Sequence, residues 1–111
     1  MNVYAVLAVM MFIGLDVISG MAKAFFTTGF DSSVMRQGFY HKLGEVLAVG
    51  LLVAADFCLP IVGVNVKVSF SAIGCAYFAL MEIGSIIENI GTINPELVGP
   101  LTKIFAKLKG E

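Results

Sequence analysis

Five acidic side chains lie inside long apolar segments of this chain, and they are the residues best placed to do chemistry. They are Asp16, Glu45, Asp56, Glu82 and Glu88. In hydrocarbon a charged carboxylate costs about 2.5–3.5 kcal/mol, so the three deepest (Asp16, Asp56 and Glu82) together cost on the order of 10 kcal/mol. The sequence offers them no obvious basic partner at the same depth. We therefore expect these groups to be protonated, to face other helices or to line water.

The composition indicates that lipid surrounds these segments. The chain has 111 residues, of which 59% are hydrophobic and 14% charged, and its mean hydropathy is +0.95. A soluble domain carries roughly 25% charged residues. The net charge of −1 provides no basic field for nucleic acid. There is no Cys/His metal spacing, nucleophile motif or glycine-rich phosphate loop, so we expect no enzyme activity and no cofactor.

Three apolar blocks predict an all-α integral membrane protein with three transmembrane helices in a single domain, 1–111. The blocks cover residues 3–26, 43–64 and 68–93, each long enough for the about 20 residues that a span requires. Residues 27–42 are polar and turn-rich and predict a cytoplasmic loop. A cleaved signal peptide is the alternative for the first block, but the basic residue before it and the small-residue site after it are missing.

Residues 94–111 predict a short amphipathic helix on the membrane surface. A frayed, solvent-exposed tail is the alternative. With three spans, six of the seven basic residues lie in one compartment, which the positive-inside rule makes the cytoplasm. The N-terminus is then outside and the C-terminus inside. The residues expected at the interface are Lys103, Phe105, Lys107 and Lys109.

Residues at a 4-3-4-3-4 spacing in the third block form one stripe of a helix: Ser71, Cys75, Phe78, Glu82, Ser85 and Asn89. Small and polar residues on one face predict a helix–helix contact in lipid. The candidates for helix contacts or pore lining are Asp16, Gly20, Asp56, Phe78, Glu82, Ser85 and Asn89. Near the cytoplasmic boundary we expect ion pairs among Lys23, Lys42, Glu45 and Glu88. His41 is expected to be a solvated loop residue.

The order of these residues resembles a bacteriophage holin family (holin family 4, the toxin-secretion and phage-lysis type). The resemblance covers roughly residues 12–109 and rests on the stretches 16–24 and 82–91 together with Asp56, Ser32, Ser33, Arg36, Gly38 and Lys42. Two departures occur: Met81 stands where the family usually has Asn, and Asn94-Pro95 replaces a Gly-Val-Pro-like turn.

This resemblance implies a phage or prophage protein that oligomerises in the bacterial inner membrane. Holins open lesions through which an endolysin or a toxin crosses. Buried carboxylates fit that mechanism, because they favour helix association and can later line a hydrated lumen. Two alternatives remain: a small multidrug-type transporter, which would need four spans and a weaker charge bias, and an antiholin or accessory membrane subunit.

Overall fold

A computed structural model describes residues 3–27, 29 and 31–110, and every regular element in this part of the chain is helical. Residues 28 and 30 of the predicted loop, residues 1 and 2, and residue 111 of the predicted tail lie outside the described residues. The elements are α1 (Val3–Thr27), α2 (Ser32–Cys58), α3 (Phe70–Ile93), a short 3-10 helix (Pro95–Leu97) and α4 (Val98–Leu108).

Helix α2 begins at Ser32, inside the segment predicted to be a loop, and ends at Cys58 rather than at residue 64. Asp31 caps its start: the carboxylate accepts hydrogen bonds from the backbone N–H groups of Ser33 (2.9 Å) and Val34 (3.4 Å). Such a cap satisfies donors that have no partner inside the helix. Pro60 follows the last turn and offers no N–H to extend it.

Two described helices, α1 and α3, are long and apolar enough to cross a bilayer. The prediction of three spans is therefore matched for two of them. Helix α2 is equally long, but its first half carries Arg36, His41, Lys42 and Glu45, while its apolar part begins at Leu43. Because of these charged residues, α2 is not apolar enough over its length to count as a membrane-spanning helix in the way that α1 and α3 do.

The described part of the chain is flat, with extents of 52 × 35 × 18 Å, and α3 packs against both α1 and α2. Helices α1 and α2 hardly touch each other. The described core is small and consists of Val9, Ile13, Val49 and Cys75. Most large apolar side chains of α1 are exposed, Tyr4 and Met11 among them. An apolar surface of this extent suits a lipid environment.

Helix α4 folds back along the last turns of α3. Its residue Phe105 lies beside Gly84, and Val98 lies against Gly91. The expected helix is present, therefore, but part of its apolar side contacts α3 instead of lying freely on a membrane surface. The turn at Asn94–Pro95 reverses the chain, since Asn94 ends α3 and Pro95 starts the 3-10 helix.

Candidate functional site

A half-buried lysine joins the three long helices. Lys42 of α2 donates hydrogen bonds to Asp16 Oδ2 of α1 and to both carboxylate oxygens of Glu82 of α3, at 2.8 and 2.6 Å. The side chains of Lys42 and Glu82 are 17% and 1% exposed. The expectation that Asp16 and Glu82 have no basic partner is thus wrong. Because α2 starts at Ser32, Lys42 lies a few turns into a packed helix instead of in a solvated loop.

Asn89 of α3 completes the contact with α1. Its side-chain nitrogen donates to Asp16 Oδ1 at 3.0 Å and to Ser19 Oγ at 2.9 Å. Gly20 faces this amide, since a Cβ on Gly20 would lie 3.6 Å from Asn89 Nδ2. Asp16 therefore holds one partner on each oxygen, Lys42 on one and Asn89 on the other. These bonds fix α1 against α3 at the level of Asp16.

Glu45 is buried next to these groups but is poorly partnered. Its side chain is 5% exposed, and neither of its oxygens accepts a well-formed hydrogen bond from a described residue. His41 Nδ1 lies 3.0 Å from Oε1, and Lys42 Nζ lies 3.7 Å from it. We call Asp16, Lys42, Glu45, Glu82 and Asn89 the polar cluster. It holds three carboxyl groups and one ammonium group, so its formal charges do not balance.

An open groove of about 420 Å³ leads to this cluster between α1 and the first half of α2. Its walls are mostly apolar and include Met21 of α1 and Met35 and Phe39 of α2, and its polar lining includes Asp16, Lys42 and Asn89. No group of His, Cys, Asp and Glu in the described residues is arranged to hold a metal ion. The polar cluster thus connects the three helices, and it is accessible through the groove between α1 and α2.

Asp56 lies at the other end of α2 and holds the start of α3. Its carboxylate accepts hydrogen bonds from the backbone N–H groups of Phe70 (2.6 Å) and Ser71 (3.0 Å) and from the Ser69 and Ser71 hydroxyls (2.9 and 2.5 Å). A carboxylate is favourable there because the N-terminus of a helix carries partial positive charge. Its partners, none of which is basic, all come from the N-terminus of α3.

The other candidates take lesser positions. Phe78 packs against the core, and Ser85 is half-buried. Among the described residues, Lys23 and Glu88 form no ion pair, unlike the pairing expected for them at the boundary. On α4, Lys103 and Lys107 are exposed, and the Lys109 ammonium lies 4.8 Å from the centre of the Phe105 ring.

Sequence reasoning named Lys42 and Glu45 as candidates for boundary ion pairs, and their charged atoms lie 3.7 Å apart. It missed that Lys42 also reaches Asp16 and Glu82 and that His41 and Ser19 contact this site. The signal was present in Asp31-Ser32-Ser33, an N-cap followed by residues that begin a helix. A helix from Ser32 places Lys42 and Glu45 on neighbouring turns of one face, with Val49 one turn further. All of Glu45, Val49, Asp16 and Glu82 are buried in the structure.

Comparisons with known proteins give one match. The model of the bacteriophage holin family matches residues 2–110, nearly the entire chain. No curated protein and no solved structure matches.

Proposed function

Because the chain belongs to the bacteriophage holin family, which is not a family of enzymes, we propose that it oligomerises in the bacterial inner membrane and forms a lesion. The lesion releases an endolysin or a toxin from the cytoplasm. The observation that carries this proposal is the match of the family model to nearly the whole chain. The two long apolar helices, α1 and α3, support a membrane location.

We propose three spans, with the predicted block 43–64, which includes the apolar part of α2 up to Cys58, as the second. The N-terminus then lies outside and the C-terminus in the cytoplasm. The distribution of basic residues supports this orientation, because Lys67 is the one basic residue in the connection between α2 and α3. The polar cluster supports three adjacent spans, because Asp16, Lys42 and Glu82 come from three different helices and meet at one level.

The proposed opening step uses the charge imbalance of the polar cluster. In a closed protomer Lys42 holds Asp16 and Glu82, while Glu45 lacks a well-formed hydrogen bond. In an assembly whose protomers enclose water, each of these carboxylates can be hydrated, and ionisation in water carries little penalty. Hydration of Asp16, Glu45 and Glu82 would thus favour the open assembly over the closed protomer, and we propose the same for Asp56 at the other end of α2.

The proposed function is tested by inducing the chain alone in a bacterial host and measuring the release of a cytosolic enzyme over time. Abrupt release after a delay is the expected result. Drug resistance without release would instead indicate a transporter, and the absence of any effect would indicate an accessory subunit or antiholin. The released enzyme must be a folded protein, because small-ion leakage alone does not distinguish a lesion from a narrow channel.

The role of the carboxylates is tested with Asp56→Asn and Glu82→Gln in the same assay. Glu88→Gln is the matched control, since Glu88 lies on α3 and is exposed. We expect both test variants to change the delay or the extent of release and the control to leave them unchanged. Timing and leakage equal to those of the parent chain in both test variants would disprove the opening step.

A further inference from the structure

Helix α3 has a second face that accepts a helix. The residues buried against α1 and α2 lie on one side, with Glu82 and Asn89 among them. At about 100° per residue, Gly84 and Gly91 lie roughly opposite that side. Gly84 faces Phe105, for a Cβ placed on Gly84 would be 3.8 Å from Phe105 Cε1, and Gly91 faces Val98 even more closely. We call this side of α3, marked by Gly84 and Gly91, the glycine face.

The glycine face continues beyond the reach of α4. Ile73, Tyr77 and Leu80 lie on the same side of α3 at helical spacing, and all three are exposed. Helix α4 has 11 residues and therefore spans about 16 Å, whereas the 24 residues of α3 span about 36 Å. One half of the face is thus covered by the chain's own α4, and the other half is open.

Helix α4 is only weakly held on this face. None of its residues is buried, and no side chain caps its start by a hydrogen bond. Ile104 and Leu108 remain exposed, and Lys103 and Lys107 give it a basic side. An amphipathic helix of this kind also binds a membrane surface that contains anionic lipids. Helix α4 can therefore bind either to α3 or, after it dissociates from α3, to the membrane surface.

We propose that the glycine face is the contact surface for a second copy of this chain and that α4 masks it in the closed protomer. This inference rests on the proposed function, since it supplies the surface through which the protein oligomerises. Small residues let helix backbones approach closely in lipid, where close packing drives association. The seating of α4 indicates that a helix fits there. Release of α4 to the membrane surface then uncovers the whole length of α3 for a partner's helix.

A reversible cross-link tests the mask on the intact chain. A Cβ on Gly91 would lie 3.7 Å from the Cβ of Val98, within the range of about 3.5–4.5 Å that a disulfide requires. The variant combines Gly91→Cys and Val98→Cys with Cys58→Ser and Cys75→Ala, so that one disulfide can form. It is reconstituted into vesicles that contain anionic lipid and an entrapped protein-sized dye conjugate. Oligomer size and dye release are measured before and after a reducing agent is added.

We expect the oxidised protein to form no large oligomers and its vesicles to retain the dye. The reduced protein should assemble into larger oligomers, and its vesicles should release roughly tenfold more dye. The Val98→Cys single variant in the same background is the control for the reducing agent and should leak under both conditions. Equal oligomer size and equal dye release in the oxidised and reduced samples would contradict the proposal that α4 masks the glycine face, but would leave the proposed function intact. A reduced sample and a control that neither assemble nor leak would contradict the proposed function, and the inference with it.

A second pair of variants avoids the cross-link. Phe105→Ala removes the aromatic ring over Gly84, whereas Thr102→Ala removes part of an exposed polar side chain on the same helix. We expect Phe105→Ala to form oligomers at about tenfold lower protein concentration, because a lost aromatic contact weakens the masked state by about that factor. Thr102→Ala should behave like the parent chain. Identical assembly curves for the two variants would contradict the role of α4.

Discussion

Removal of the Lys42 ammonium is the most direct perturbation of the polar cluster. Lys42→Met keeps much of the length and the apolar stem of the side chain but leaves Asp16 and Glu82 without their shared cation. Both carboxylates are buried, with side chains 9% and 1% exposed. Deleting one partner of a buried ion pair destabilises a protein by about 3–5 kcal/mol, because the remaining charge is left uncompensated. We expect a loss of that size in the free energy of unfolding.

The measurement is unfolding of the purified protein in mixed micelles, followed by circular dichroism as a denaturing detergent is added. Lys23→Met is the matched control, since Lys23 is a half-buried lysine on α1 for which no ion pair is described. The double variant Lys42→Met/Glu82→Gln removes one of the stranded charges and should recover part of the loss. Such recovery is the signature of coupled neighbours in a double-mutant cycle.

Two outcomes would refute this reasoning. A change below about 0.5 kcal/mol for Lys42→Met, equal to that of an ordinary surface substitution, would mean that the ion pairs contribute nothing to packing. A double variant that is less stable than Lys42→Met would mean that Glu82 supports the fold through contacts other than the one to Lys42.

Three further predictions concern the remaining contacts. Asp56→Ala should lower the free energy of unfolding in the same assay, because the N–H groups of Phe70 and Ser71 at the start of α3 lose their carboxylate acceptor, and Asp56→Asn, which keeps one oxygen acceptor, should lower it less. Asn89→Leu should lower the free energy of unfolding by about 1–3 kcal/mol in that assay, because the acceptors of Asp16 and Ser19 on α1 lose their hydrogen-bond donor. A variant as stable as the parent chain would exclude this role of Asn89. The third prediction concerns orientation and uses two variants that both carry Cys75→Ala: one keeps Cys58, and the other replaces Cys58 and carries Lys107→Cys. A membrane-impermeant maleimide added to spheroplasts should label the first variant but not the second. Labelling of both variants or of neither would contradict the three-span orientation.

The sequence allowed α1, α3 and the buried side of α3 to be predicted, whereas the bounds of α2 were wrong. The all-helical character and the family resemblance are confirmed by the structure and by the family match. Of the stripe on α3, Ser71, Cys75, Glu82 and Asn89 are buried, while Phe78 and Ser85 are half-buried. The spacing of small and polar residues predicts which side of α3 is buried, because the side on which a residue lies depends only on local helical geometry.

The partners of the carboxylates could not be predicted in the same way. The depth of each charge was judged from its position in an apolar block, which placed Lys42 at a boundary. In the structure its long side chain reaches Asp16 and Glu82, which are 26 and 40 residues away in the chain. Asp56 poses the same difficulty, because its partners became evident only with the start of α3 at Phe70. Pairings of this kind depend on how helices pack, and a linear pattern does not contain that.

The incomplete pairing of the polar cluster bears on how a holin can be both stable and ready to open. A cluster with equal charges and full hydrogen bonding would favour the closed protomer and resist hydration. Here Glu45 is buried without a well-formed hydrogen bond, whereas Asp16 and Glu82 are held by one ammonium. Because an equilibrium depends on the difference between two states, the proposed opening step predicts that the poorly satisfied Glu45 penalises the closed state but not a water-lined one. Under that proposal, Lys42 sets how firmly the protomer stays closed, and Glu45 sets how much free energy is gained when water enters.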